Sequence, residues 1–238
     1  MAIFKKYFLV YLLTFGCFVL MAMMTNHAVT AAAEAELAKP SRTIVIDAGH
    51  GGEDGGATSC TGVNESQINL SIALKLDDLL HFMGYSTKMV RTEDVSIYSN
   101  SATSIAQKKV SDLKNRVALV NETEDALLVS IHQNQFPESK YFGAQVFYGK
   151  GPGSQELAEQ TQALLISALN PKSSRRCKPA SDVYLLKNTT CTGILVECGF
   201  LSNPAEEEKL RDEGYQQKLC CVIASALDQF LTAEENML

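Results

Sequence analysis

The sequence predicts a single α/β domain, a twisted and largely parallel sheet covered by helices on both faces. Three observations predict it. Short apolar, β-branched runs alternate along the chain with longer stretches of helical periodicity, the order expected of strand–helix–strand crossovers. The runs Ile44-Val45-Ile46, Leu127-Leu128-Val129 and Ile194-Leu195-Val196 are apolar at consecutive positions, as in strands buried on both faces. Finally, setting aside an N-terminal export segment leaves about 205 residues, one generous domain with room for a core.

The elements follow in order. A strand over 43–48 runs into a glycine-rich loop. Ile68, Ile72, Leu76, Leu79 and Leu80 recur at helical spacing and predict a helix over 65–83, closed by Gly84. A strand is expected over 85–91. Residues 96–110, rich in Ser, Ala, Asn and Thr, read as a loop or mobile insertion able to cover a cleft or meet a partner protein, or as an ordinary surface insertion. Leu113, Val117 and Val120 predict a helix over 111–121, and strands follow over 126–131 and 143–149. A helix over 154–169 stops before Pro171, and polar residues 171–182 read as exposed. Strands over 183–187 and 193–197 and helices over 204–212 and 215–232 complete the chain. No internal repeat, linker or second domain is evident.

Residues 1–33 read as a signal peptide or an uncleaved membrane anchor, leaving 34–238 as the catalytic domain. Lys5 and Lys6 precede an apolar run from Tyr7 to Met24, and small residues follow at Ala28 and Ala31-Ala32-Ala33. The run is long enough for a marginal membrane span, and no later stretch is, so any membrane contact is expected only through this segment. Cys17 lacks a convincing lipobox. The chain is therefore expected outside the membrane, secreted or anchored on its outer face. Its 21 Lys and Arg against 27 Asp and Glu give a net charge of −6, and the export segment holds two of the lysines and no acid. Nothing suggests nucleic-acid binding, and an anionic polymer would have to be recognised locally rather than by overall charge. Cysteines 60, 177, 191, 198, 220 and 221 show neither a CxxC pair nor zinc-ribbon spacing. Cys198, Cys220 and Cys221 read as small buried hydrophobes.

Four residues carry the chemistry. His50 follows a strand within Asp47-Ala48-Gly49-His50-Gly51-Gly52, in a loop with five glycines between positions 49 and 56. A purely structural turn needs fewer, although a lone histidine after a strand is often a satisfied structural one. Glu65 opens a predicted helix. It either complements the helix dipole or presents a ligand from a rigid helix start. His132, in Ser130-Ile131-His132-Gln133-Asn134, ends an interior strand at the lip where α/β sheets build sites, or is simply hydrogen-bonded there. Glu197 lies between Ile194-Leu195-Val196 and Cys198-Gly199-Phe200-Leu201. Such surroundings raise a carboxyl pKa into the range useful for proton transfer, unless a buried base such as Arg91 or Arg116 pairs with it. Together, His50, Glu65 and His132 make a three-ligand zinc set with an open fourth position, and Glu197 makes a proton carrier beside it. The spacing is not HExxH. The chain also lacks G-x-S-x-G, and no cysteine adjoins a histidine, which disfavours nucleophilic catalysis.

With these residues the chain resembles the zinc-dependent N-acetylmuramoyl-L-alanine amidases of the type-3 amidase family. The resemblance rests on Ile46-Asp47-Ala48-Gly49-His50-Gly51-Gly52, Glu65 with Ile68-Asn69-Leu70, Arg91-Thr92-Glu93-Asp94, Leu113 to Arg116, Ser130 to Asn134, Gly143 to Tyr148 and Val196 to Pro204. It implies that His50, Glu65 and His132 bind one Zn²⁺. It also implies that Glu197 is the catalytic acid/base and that the bond cut joins N-acetylmuramic acid to L-alanine of the peptidoglycan stem peptide. Asn134 and Arg91, within these motifs, are carried over as candidate substrate contacts. One departure is Gln135, where the family usually has a small residue. Chain size, the lone catalytic domain and the export segment look most like the germination-specific sporulation branch. That branch implies a role in making muramic-δ-lactam of spore cortex, a location between the membranes of the forming spore, and possible regulation by a protein partner. The competing readings are an inactive wall-binding protein on the same fold and a zinc hydrolase of another wall bond.

Overall fold

The computed structural model describes residues 7–8, 14–25 and 42–236. The chain divides into two units, Met1–Lys39 and Pro40–Leu238. In the first, residues 14–25 form a helix whose side chains are exposed apart from a half-buried Val19. No described helix is long and apolar enough to cross a membrane. Much of the predicted export segment, including its end near residue 33, lies outside the described residues.

The second unit is built on a six-stranded sheet of order β2-β1-β3-β6-β4-β5. Its strands are β1 (Thr43–Ala48), β2 (Thr87–Met89), β3 (Ala126–Asn134), β4 (Gln145–Tyr148), β5 (Lys178–Pro179) and β6 (Thr192–Phe200). All neighbouring pairs are parallel except β4 with β6. The helices are α1 (Glu65–Phe82), α2 (Ile105–Asn121), α3 (Ser154–Leu169), α4 (Tyr184–Asn188), α5 (Pro204–Arg211) and α6 (Glu213–Glu235).

Alternation along the strands divides the core in two. Ile44, Ile46, Leu127, Val129, Ile131, Ile194 and Val196 pack with α1, α3 and α6 through Ile72, Leu76, Leu157, Leu165, Ile223 and Leu227. Val45, Leu128 and Leu195 point the other way and meet Val120 of α2 and Leu185 and Leu186 of α4. Burying each such side chain contributes about 1.5–3 kcal/mol. Both faces are covered, which is why these strands read as continuous apolar runs.

Several boundaries differ from the sequence expectation. α2 begins at Ile105 rather than 111 because Ser104 and Gln107 form a reciprocal capping box, so the segment read as a loop over 96–110 ends in helix. Residues 183–187, expected as a strand, lie in or beside α4, which buries Leu185 and Leu186 together under the sheet. The edge position is taken instead by the two-residue β5, inside a stretch read as polar and exposed. β2 is shorter than expected. β3 and β6 run on to Asn134 and Phe200, so His132 and Glu197 sit within paired strands. Cys198 and Cys220 are buried as expected, but Cys221 faces solvent. The helix cylinder turns it away from the sheet while its neighbour points inward.

Candidate metal centre and active site

The site grows from the C-terminal ends of β1, β3 and β6 and the first turn of α1. β1 delivers the chain to Gly49, where a Cβ would lie 2.1 Å from His132 Nε2, so only glycine lets the loop cross that ring. His50 itself adopts a left-handed backbone (φ 61°), followed by Gly51 (φ 142°) and Gly52 (φ 56°). The turn closes with Gly51 N–H donating to Asp54 O (2.8 Å) and Asp54 N–H donating to Gly51 O (3.1 Å). The dense glycines of this loop thus have specific steric tasks.

Glu65 is buried between the two histidines. Its Oε1 lies 2.9 Å from His132 Nδ1 and its Oε2 lies 3.4 Å from His50 Nε2. The two imidazole rings are 5.0 Å apart, edge to face. Around them, Ala57 N–H donates to Glu65 Oε2 (2.9 Å), while Gln133 N–H and Asn69 Nδ2 donate to Oε1 (both 3.1 Å). Gln133 Nε2 in turn donates to Asn69 Oδ1 (3.2 Å). Burial by itself would raise the Glu65 carboxyl. The hydrogen bond and charge of His132, the charge of His50 and the Ala57 N–H outweigh it and bring the pKa down to about 2. His132 moves the opposite way: burial pushes it down, but Glu65, Glu197 and Asp47 leave it raised. The place where these groups would share protons is the place a divalent cation suits.

One donor atom from each of His50, Glu65 and His132 falls within 4.8 Å of the others, the only such group among the described residues. Two nitrogens and one carboxylate oxygen are the donor set of a catalytic zinc site, whose fourth position is left to solvent or substrate. The residues present therefore fit the ion.

Glu197 stands directly across the ladder from His132, as its register partner in β6. Its Oε2 is buried without a hydrogen-bond partner. Burial raises its pKa to about 7; His132 pulls it down and Glu65 pushes it up. Neither arginine neutralises it. Arg116 donates to Asp47 Oδ1 (2.5 Å), Asp112 Oδ2 (2.6 Å) and His50 O (2.6 Å). Arg91 donates to the carbonyls of Ala48 (2.8 Å), Gly49 (3.0 Å), Ser66 (2.8 Å) and Glu93 (2.9 Å).

Arg91, a candidate substrate contact, has a fully buried side chain and spends its donors on the loop and the start of α1, so it braces the site from behind. Asn134 ends β3 half-buried at the lip, its carbonyl accepting from Leu201 N–H (2.8 Å). Gln135 Nε2 donates to Thr58 O (3.1 Å), tying two rim loops together. Sequence reasoning missed Asp47, Asp54, Asn69 and Gln133. Asp54, four residues after His50 in the same glycine-rich loop, was the one with a readable signal.

The geometry agrees with the comparisons. The family model described as N-acetylmuramoyl-L-alanine amidase matches residues 44–229. The germination-specific N-acetylmuramoyl-L-alanine amidase of Bacillus subtilis (strain 168) is 35% identical over 192 residues, covering 80% of this chain and 80% of that protein. The CwlD amidase from Clostridioides difficile, solved in complex with the GerS lipoprotein, is 39% identical with a TM-score of 0.77, covering 80% of this chain and 98% of that one. An N-acetylmuramoyl-L-alanine amidase from Clostridium difficile 630 is 33% identical with a TM-score of 0.70, covering 80% and 97%. With all four chemical residues and nearly the whole of the sheet-bearing unit inside the matched span, the chain belongs to the N-acetylmuramoyl-L-alanine amidase family.

Proposed function

We propose that this chain hydrolyses peptidoglycan at the amide joining the lactyl group of N-acetylmuramic acid to L-alanine, with Zn²⁺ held by His50, Glu65 and His132 and with Glu197 as proton carrier. The single observation that carries the mechanism is the buried, unbonded Oε2 of Glu197 directly across the ladder from His132. When bound, the metal polarises the scissile carbonyl and acidifies a water. Glu197, with a pKa near operating pH, takes the proton as the water oxygen adds to the carbonyl carbon. It returns that proton to the nitrogen as the C–N bond breaks, leaving a lactyl carboxylate and a free L-alanine amine. Glu65, held ionised, and the half-buried imidazoles keep the donor set in one geometry. Asn134, half-buried at the lip, is the proposed substrate contact.

The test is digestion of cortex or vegetative sacculi with mass analysis of the products. The wild type releases stem peptides beginning with L-alanine, and a chelator stops it. Glu197→Gln keeps fold and zinc but loses about 10²–10⁴-fold in turnover. Normal turnover in that variant removes Glu197's role. Release of acetate, or of internal peptide fragments, points instead to another wall bond. No release at all favours the inactive binding protein.

The germination-specific activity named for the Bacillus subtilis relative supports a role in germination; the step we propose for it is spore cortex modification, at the muramic-δ-lactam stage. Residues 1–33 would export the domain to the outer face of a membrane, between the membranes of the forming spore. The lipoprotein bound to the Clostridioides difficile amidase supports a protein partner. Its candidate surface here is the start of α2 and the preceding loop, where Ile105 is 76% and Val110 53% exposed beside a groove of about 560 Å³. Ile105→Asp with Val110→Asp should abolish partner binding and leave partner-free digestion unchanged. Equal partner affinity in the double variant rules that surface out.

A further inference from the structure

His50 and His132 are held by different means. His132 sits in the central strand β3, paired with Glu197 of β6 and directly following Ile131, where the β1 ladder ends. His50 sits in a loop with left-handed backbone, where no ladder sets its ring. Behind it, on the ring nitrogen opposite Glu65, stands Asp54. Its Oδ2 lies 2.9 Å from His50 Nδ1, while His50 Nε2 faces Glu65 Oε2. Asp54's other oxygen lies 3.4 Å from Lys109 Nζ of α2. The loop that carries both residues is pinned on every side. Gly51 and Asp54 close its turn, Gly52 N–H donates to Asp94 Oδ1 (3.1 Å), and Ser96 Oγ donates to Gly51 O. Lys108 Nζ meets Glu53 at 2.7 Å.

We infer that Asp54 is a positioning residue for His50. A neutral imidazole carries one N–H. A carboxylate accepting at Nδ1 places that hydrogen on Nδ1 and leaves the Nε2 lone pair turned towards Glu65 and His132. It also fixes the ring's rotation and makes Nε2 the better donor. Asp54 thereby does from a side chain what strand pairing does for His132. The inference rests on the proposed metal reading, and its test separates the two.

The measurements are zinc affinity by chelator competition and the His50 ring tautomer by nitrogen NMR in the metal-free protein, for wild type, Asp54→Asn and Asp54→Ala. Both variants should bind zinc about 10–100-fold more weakly. They should also lose the Nδ1–H preference while the melting temperature of the metal-free protein stays unchanged. A purely structural role for Asp54 would lower that melting temperature and leave the tautomer alone. Wild-type zinc affinity and an unchanged tautomer in both variants overturn the inference. A wild type that binds no zinc overturns the metal reading, and the tautomer shift then still decides whether Asp54 positions the ring.

Discussion

Asp47 and Glu197 are carboxylates near the ends of parallel strands, with β3 between them, and alternation places both on the sheet face that carries Val45 and Leu195. Their surroundings separate them. Asp47 is buried outright, accepting from Arg116 Nη1 (2.5 Å) and from Ser130 Oγ (2.6 Å). Burial would raise its pKa, but Arg116, His132 and Ser130 hold it below the ordinary 3.8. Glu197 has one sealed oxygen, no cation bonded to it and a pKa raised to about 7. The same residue class at the same lip becomes a structural strut in one strand and a proton carrier in another. What decides between them is where Arg116 points: back from α2 to Asp47, Ala48 O and His50 O, beneath the metal loop. Buried ion pairs are sensitive to the loss of one partner, and an uncompensated carboxyl is ready to exchange a proton.

The largest expected effect comes from removing that arginine. Arg116→Met leaves Asp47 and Asp112 buried without their cation and should destabilise the protein by about 3–5 kcal/mol, read by denaturant unfolding. A loss under about 1 kcal/mol would mean that Arg116 is not what distinguishes the two acids.

The second effect lies in pH dependence, where the two acids act with opposite sign. Glu197 has a raised folded pKa, so the metal-free fold is penalised as pH climbs from its ordinary 4.5 through about 7. Glu197→Gln should remove that decline, by a few kcal/mol at most, and so be more stable than wild type at pH 8 but not at pH 4. Parallel stability curves for the two proteins would show that the carboxyl is not perturbed. Asp47 has a lowered folded pKa, so its contribution is present above about 3.8 and lost as acid takes pH through the folded value. Arg116→Met should flatten that acid limb while leaving the Glu197 limb in place. This is the smallest of the three effects and the most specific to the pairing.

Much of this was legible along the chain. The apolar runs around Ile44, Leu127 and Ile194 identified the central strands because a strand buried on both faces has no polar positions to interrupt it. His50, Glu65, His132 and Glu197 stood out because polar side chains ended apolar runs or opened a helix. The edges were harder. β5 has two residues, and α4 presents Leu185 and Leu186 in a stretch too short for periodicity to separate helix from strand. The capping pair Ser104 and Gln107 was in plain view, but the polar composition around it suggested a loop.

The order of residues by itself determined the layered α/β architecture, the place of the main strands along the chain, and which side chains offer nitrogen or oxygen to a metal, since these follow from local periodicity and side-chain chemistry. Only the tertiary structure decided that Arg91 and Arg116 turn away from Glu197, that Asp54 backs His50, and that Gly49 must lack a side chain to pass His132. Desolvation, charge pairing and steric overlap depend on distances of a few ångströms between segments separated by up to about 150 positions, and no local pattern encodes those distances.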